Sequence, residues 1–273
     1  MFGFLGPNGA GKSTTIRMMM TLIFPTKGNI KLFGKDIYKE RKYILSRVGA
    51  IVEKPDFYGY LTAWKNLEIL ARTSGYPVTD KKIMSILEMV GLEKRYNSKV
   101  KTFSHGMKQR LGIAQALIHD PKLIILDEPT TGLDPQGMKE IRDLVVSLSR
   151  DHQKTILLSS HILYEVELIA NRMVIINKGK TVIEGSVEDL LNAAETRVNI
   201  EVDNTEKAVQ IINESNVKGR IDDVSSSTII MFMNKSEIAP LNKKFVEAGI
   251  AVHSLVPTRS LEEYFLNLTE KGE

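Results

Sequence analysis

The sequence predicts an α/β fold built on a buried parallel sheet, followed by a smaller α+β unit. Three observations carry this expectation. Residues 2–5 read as a short buried strand that feeds a glycine-rich turn and then a helix. Leu123-Ile124-Ile125-Leu126 is a continuous apolar run of the kind a parallel strand covered on both faces requires, and residues 155–159 read as another central strand. Beyond residue 194 the pattern changes to short strands (198–202, 228–233, 250–255) between helices (205–214, 236–248, 260–269).

The remaining elements follow in chain order. Residues 13–24 read as a helix ended near Pro25, and residues 29–34 as a short strand reaching a turn. Residues 62–72 and 79–90 pattern as amphipathic helices, the second with Ile83, Ile86, Leu87 and Val90 at helical spacing. After Ser104, the positions Met107, Leu111, Ala114, Leu117 and Ile118 repeat in the same way. Asp134-Pro135 supplies an N-cap and a first-turn proline for the next helix. Residues 173–176 and 181–183 flank Asn177-Lys178-Gly179-Lys180 as a hairpin. Ser186, with Asp189 three positions on, resembles a capping box for a helix to about Ala194. That helix closes a first domain, 1–194. Residues 195–273 form an accessory α+β domain, read as a packing or dimer-stabilising module rather than a ligand sensor because it carries no chemical motif.

Composition bounds the function. The chain has 273 residues, 42% hydrophobic and 26% charged, which suits a globular fold with substantial cores. A net charge of +4 is an ordinary surface excess at this length, compatible with work beside an anionic membrane. The absence of cysteine excludes a disulfide framework and thiolate metal sites and suits the reducing cytosol. No apolar run approaches bilayer length, and residues 1–5 lack the basic start of a signal peptide. A membrane process served by such a chain is served from the cytoplasmic side.

Gly6-Pro7-Asn8-Gly9-Ala10-Gly11-Lys12-Ser13-Thr14 matches G-x-x-x-x-G-K-[ST], with a strand before it and a helix after it. Gly6, Gly9 and Gly11 let backbone N–H groups curl around phosphates, and the helix start turns its positive end toward them. Lys12 is placed for the β- and γ-phosphates and the Ser13 hydroxyl for Mg²⁺. The motif predicts nucleotide binding and leaves GTPase, kinase, helicase and ATPase open.

Asp127-Glu128 closes the apolar run at 123–126. Alone, two carboxylates after a strand are as readily capping or solvated charges. Beside a phosphate loop they become a metal-holding group, Asp127, and a general base for the attacking water, Glu128.

One segment narrows the class. Phe103-Ser104-His105-Gly106-Met107-Lys108-Gln109-Arg110 resembles the signature loop of ABC ATPases, commonly Leu-Ser-Gly-Gly-Gln. Ser104 and Gly106 are retained, while Phe103, His105 and Met107 depart from the common form. Thr131-Gly132-Leu133-Asp134 resembles that family's D-loop, and His161, after Ser159-Ser160, its switch histidine. The resemblance spans residues 6–161. It implies a P-loop NTPase of the ABC cassette type, with a RecA-like core and a helical subdomain at about 53–103. It further implies ATP and Mg²⁺ as ligands, with Lys12, Glu128 and His161 catalytic. A second cassette would supply Ser104 and Gly106 to the nucleotide on its partner's phosphate loop, and a separate transmembrane permease would be driven. No nucleic acid is implied: a heptad insertion of chromosome-type ATPases and the second cassette of translation factors are both lacking.

Glu53 stands where the family usually has a glutamine that touches Mg²⁺. Together with Glu53-Lys54-Pro55-Asp56-Phe57-Tyr58-Gly59-Tyr60-Leu61-Thr62, this resembles the ATPases of bacitracin-resistance and lantibiotic self-protection exporters. Glu53 is expected as a third metal ligand beside Ser13 and Asp127, the plainer alternative being an exposed loop glutamate. Phe57, Tyr58, Tyr60, Leu61 and Trp64 are candidate permease contacts. An importer subunit shares every catalytic motif and stays open, as does a truncated cassette that does not hydrolyse ATP, which intact Glu128 and His161 disfavour. Cassettes of this kind begin a few tens of residues earlier, with an aromatic that stacks on adenine. Only residues 1–5 precede Gly6, so the expectation is an N-terminally truncated cassette or a misplaced start, with ATP held by its phosphates alone.

Overall fold

The computed structural model describes residues 1–76, 78–193, 196–215 and 219–258. The chain divides into two compact units, the first Met1–Ser186 and the second beginning at Val187.

The first unit opens with β1 (Phe2–Leu5), α1 (Lys12–Met19), the short strands β2 (Lys31–Leu32) and β3 (Lys35–Asp36), α2 (Arg41–Leu45) and β4 (Val48–Ile51). Three helices follow, α3 (Ala63–Thr73), α4 (Asp80–Met89) and α5 (His105–Leu117), and then β5 (Leu123–Asp127) and α6 (Pro135–Arg150). It ends with β6 (Thr155–Ser160), α7 (Leu163–Glu167), β7 (Arg172–Asn177) and β8 (Lys180–Ser186). The main sheet has the order β4-β5-β6-β1-β7-β8, parallel throughout except at β7–β8. β5 is buried along its whole length, as a strand covered on both faces must be. Registers of Leu5 with Ser160 and Asp127 with Ser159 bring the C-terminal ends of β1, β5 and β6 to one edge. Loops leaving that edge are the usual ligand site of an open α/β sheet. Beneath it Phe4, Ile16, Ile37, Ile44, Val48 and Ile125 share one apolar cluster.

Local chemistry starts the helices where the sequence placed them. Thr62, Thr79, Ser104 and Asp134 each accept a backbone N–H from the third residue on, capping α3, α4, α5 and α6. The buried side chain of Asn66 ties the segment before α3 down: it accepts from the Tyr58 N–H and donates to the carbonyls of Tyr58 and Thr62.

Three details differ from expectation. α1 stops at Met19, well short of Pro25. Thr21 takes a left-handed φ of 57°, and the N–H groups of Thr21 and Leu22 return to the carbonyls of Met18 and Arg17, a Schellman closure made without glycine. The strand expected at 29–34 is a tight hairpin, β2–β3, around Phe33-Gly34, both at positive φ. α2, β4 and α7 were not anticipated.

In the second unit α8 (Val187–Ala193) is followed by β9 (Thr196–Val202), α9 (Thr205–Glu214), β10 (Gly219–Val224), β11 (Thr228–Met233), α10 (Lys235–Glu247) and β12 (Val252–Thr258). The sheet is antiparallel in the order β10-β11-β9-β12, the split βαβ arrangement. Val198, Ile200 and Val202 alternate inward from β9 against Met231, Leu241 and Phe245. The unanticipated β10 is an edge strand whose Arg220, Asp222 and Asp223 break the apolar alternation. The helix expected at 260–269 lies outside the described residues.

His119, just past α5, lies with Nε2 3.0 Å from the Val48 carbonyl oxygen. Burial holds its pKa below the ordinary 6.5, outweighing the Val48 carbonyl and Asp120, which favour the cation, while Lys154 adds to the lowering. The folded pKa is the lower one, so this contribution to stability is complete above the unfolded value and lost as pH falls through the folded one. The urea midpoint is therefore expected to fall between pH 7 and pH 5, and to fall less in His119→Gln; equal slopes for both proteins would disprove the assignment.

Candidate nucleotide site

The loop after β1 wraps around its own lysine. Gly9 and Gly11 sit at φ of 81° and 107°, a region that side-chain-bearing residues rarely enter. A Cβ on Gly9 would meet nothing within 4 Å, so the backbone conformation alone demands glycine there. Pro7, Asn8 and Thr14 are exposed, Ala10 is buried and Ser13 is half-buried. Gly11 precedes α1 with no side-chain cap. The first N–H groups of that helix therefore lack a capping side chain, and the helix dipole adds to their pull on an anion. Lys12 is 4% exposed; its Nζ donates to the carbonyls of Gly6 (2.7 Å) and Pro7 (3.2 Å) and pairs with Glu128 Oε1 at 3.3 Å.

The carboxylates at the end of β5 are held from β6. Ser159 donates its hydroxyl to Asp127 Oδ1 at 2.5 Å and accepts the Glu128 N–H at 2.9 Å. Glu128 has a left-handed φ of 47°, a costly conformation for a non-glycine residue. Its Oε2 accepts from the Thr131 hydroxyl at 2.9 Å and lies 3.2 Å from His161 Nδ1. Burial favours the neutral acid, but the Thr131 hydroxyl, the Lys12 ammonium and His161 together hold the Glu128 pKa below its ordinary value. Behind this group Thr130 donates to the buried Glu165 of α7 at 2.7 Å, tying the turn after Glu128 to the helix after His161.

A cavity of about 260 Å³ opens here, with Ser13, Glu53, Asp127, Glu128 and Thr131 in its walls. Glu53 also has a positive φ, 69°, and its carboxylate is paired with Arg17 of α1. The start of α5 reaches this cavity through His105 and Gln109. Ser104 spends its hydroxyl on the Met107 N–H at 3.2 Å, and a Cβ on Gly106 would touch only Leu133, at 3.8 Å. The structure thus gathers Lys12, Asp127, Glu128 and His161, puts Glu53 at the rim on a competing cation, and leaves Ser104 and Gly106 off this cavity.

The donor set fits magnesium in one particular way. Among the described residues no group of three or more His, Asp or Glu could hold a metal. Ser13 and Asp127 offer hard oxygens, and Mg²⁺ characteristically takes one or two carboxylates together with water and substrate phosphates. Four participants escaped the sequence reading: Ser159, Thr131 as a partner of Glu128, the Thr130–Glu165 bond, and Arg17. Ser159, Arg17 and the Thr130–Glu165 pair meet their partners only through the fold, whereas Thr131 lies three residues from Glu128, where the sequence shows the residue but not its bond.

These parts define a P-loop ATPase with two carboxylates in series at the end of β5. The family model described as "ABC transporter" matches residues 1–131. The chain is similar to the bacitracin transport ATP-binding protein BcrA of Bacillus licheniformis, 44% identical over 274 residues, 100% of this chain and 89% of that protein. It also resembles the lantibiotic transport ATP-binding protein SrtF of Streptococcus pyogenes, 41% identical over 195 residues, 71% and 82% of the two chains. A solved dimeric ATP-binding cassette in a post-hydrolysis state, with ADP and inorganic phosphate bound, matches with a TM-score of 0.60 and 25% identity over 68% of this chain and 85% of that one. The chain belongs to the ABC transporter ATP-binding family: it is the ATPase subunit of a transporter. Such subunits bind ATP with Mg²⁺, dimerise and work with a transmembrane permease.

Ser159→Ala would strip a buried carboxylate of its donor and leave the Glu128 N–H unpaired. It is expected to lower unfolding free energy by about 1–3 kcal/mol, with guanidinium denaturation as the measurement.

Proposed function

We propose that this chain hydrolyses ATP at a site completed by a second copy of itself, and that it powers export of a peptide antibiotic or similar amphiphile from the cytoplasmic face of the membrane. The observation that carries the catalytic part is the Glu128 carboxylate at the end of β5, in contact with both Lys12 and His161. Gly6 to Thr14 receive the phosphates through backbone N–H groups and the open end of α1. Lys12 transfers its ammonium from Glu128 to the incoming phosphate oxygens and stabilises charge on the transferred group. Ser13 and Asp127 hold Mg²⁺, with Glu53 as a further oxygen ligand. The metal, when bound, neutralises phosphate charge and supplies Lewis-acid polarisation.

Glu128, once free of Lys12, holds the attacking water. In the resting site the Thr131 hydroxyl, the Lys12 ammonium and His161 keep the Glu128 pKa below its ordinary value, so the carboxylate is ionised and available to orient and polarise the attacking water as its general base. His161 fixes the Glu128 carboxylate and reaches toward the γ-phosphate. Ser104 and Gly106, at the start of the 13-residue helix α5, serve the nucleotide on the partner's loop, which accounts for their standing off this chain's own cavity.

Support for export is the similarity to BcrA and SrtF, whose names assign them bacitracin and lantibiotic transport. No helix among the described residues is long and apolar enough to cross a membrane, and family subunits of this kind work with a separate permease, which would carry the path for cargo. The exposed Tyr58 and Tyr60, beside α3, are offered as its contact.

Glu128→Gln is expected to cut ATP turnover by about 10²–10⁴-fold while ATP binding persists. Retained turnover in the variant would refute the role. For the cargo, co-expression with the cognate permease should raise bacitracin or lantibiotic resistance in a sensitive host, and Glu128→Gln should abolish the gain. Full ATPase activity with no resistance would sink the export reading.

A further inference from the structure

Glu53 stands at a junction of two demands. It shares the walls of the 260 Å³ cavity with Ser13 and Asp127, the oxygens offered above to magnesium. Yet its carboxylate is committed to Arg17, which lies on α1, the helix that begins at the phosphate loop. Glu53 also has φ of 69°, so the chain turns sharply at the residue that makes the pair. The two side chains are 39% and 61% exposed. Ion pairs this open contribute about 0–1 kcal/mol, enough to bias a carboxylate and too little to lock it.

We propose that Arg17 is a positioning residue for Glu53: it holds the carboxylate on the flank of α1 in competition with the metal, so the Arg17–Glu53 pair sets how much Mg²⁺ the nucleotide-loaded site requires. The inference rests on the reading of Glu53 as a metal ligand. A glutamine at residue 53 would lack this competition, since it carries no charge for Arg17 to hold. The exchange also couples the loop to metal loading. Trp64, the one tryptophan of the chain, lies on α3, whose Asn66 holds the Tyr58 backbone of the segment after Glu53, so its fluorescence serves as a probe beside that segment.

The test is a Mg²⁺ titration of the full chain with a non-hydrolysable ATP analogue, followed by calorimetry, with Trp64 fluorescence as a second signal. Arg17→Gln is expected to lower the half-saturating Mg²⁺ concentration by about two- to fivefold. Arg17→Lys should stay near wild type. Glu53→Gln should raise the half-saturating concentration, and the double variant Arg17→Gln/Glu53→Gln should match Glu53→Gln alone. An Arg17→Gln shift that persists in the Glu53→Gln background, or no shift at all while Glu53→Gln still weakens Mg²⁺, overturns the role of Arg17. An unchanged titration for Glu53→Gln instead removes Glu53 from the metal set, a different failure. Circular dichroism of each variant separates misfolding from these outcomes.

Discussion

The parallel pairing of β1 with β6 and β7 governs the rest of the first unit. Four residues, Phe2–Leu5, make ladders on both sides, with Leu5 fully buried. That register puts Gly6 beside the end of β6, and its N–H reaches the Ser160 carbonyl at 3.4 Å. β6 in turn aligns Ser159 with Asp127. The phosphate loop, the carboxylate pair and His161 are therefore fixed relative to one another by backbone hydrogen bonds, before any side chain contributes. A Cβ on Gly3 would lie 2.2 Å from Val166 of α7, so the strand also has to be slim where that helix crosses it.

Given that frame, the electrostatics of the site follow from how few partners share one carboxylate. Glu128 divides its two oxygens between Lys12 on one side and Thr131 and His161 on the other. Its backbone is held by Ser159 in a conformation that an unconstrained glutamate would avoid. The strain is local, and the constraint comes from two neighbouring strands. The Thr130–Glu165 bond closes the arrangement from behind and ties the turn after Glu128 to the helix after His161.

What the sequence disclosed follows from the range of the interactions involved. The phosphate loop and the caps at Thr79, Ser104 and Asp134 are legible because each satisfies its own backbone within a few residues. β5 is legible because burial on both faces forces an unbroken apolar run. β4 is interrupted by Gly49, and the reason is tertiary: a Cβ there would lie 2.1 Å from the Ala116 carbonyl of α5. The end of α1 is hidden because Thr21, not glycine, takes the left-handed turn. In the site, Ser159 and Glu128 are 31 positions apart, Thr130 and Glu165 35, and Arg17 and Glu53 36. No pattern within one element relates such pairs; only the strand order does.

The two cation–carboxylate pairs of the site differ in burial, and that difference sorts what is fixed from what is exchangeable. Lys12 and Glu128 are 4% and 23% exposed, against 39% and 61% for Arg17 and Glu53. Removing one partner of a buried pair leaves an uncompensated charge out of water, at a cost of about 3–5 kcal/mol. Lys12 can therefore leave Glu128 only for another anion, and a phosphate arriving in the loop is such an anion where a neutral ligand is not. The exposed pair carries no comparable penalty, because water solvates whatever is released. The less exposed pair thus favours negative charge in the loop, while the open pair is free to exchange.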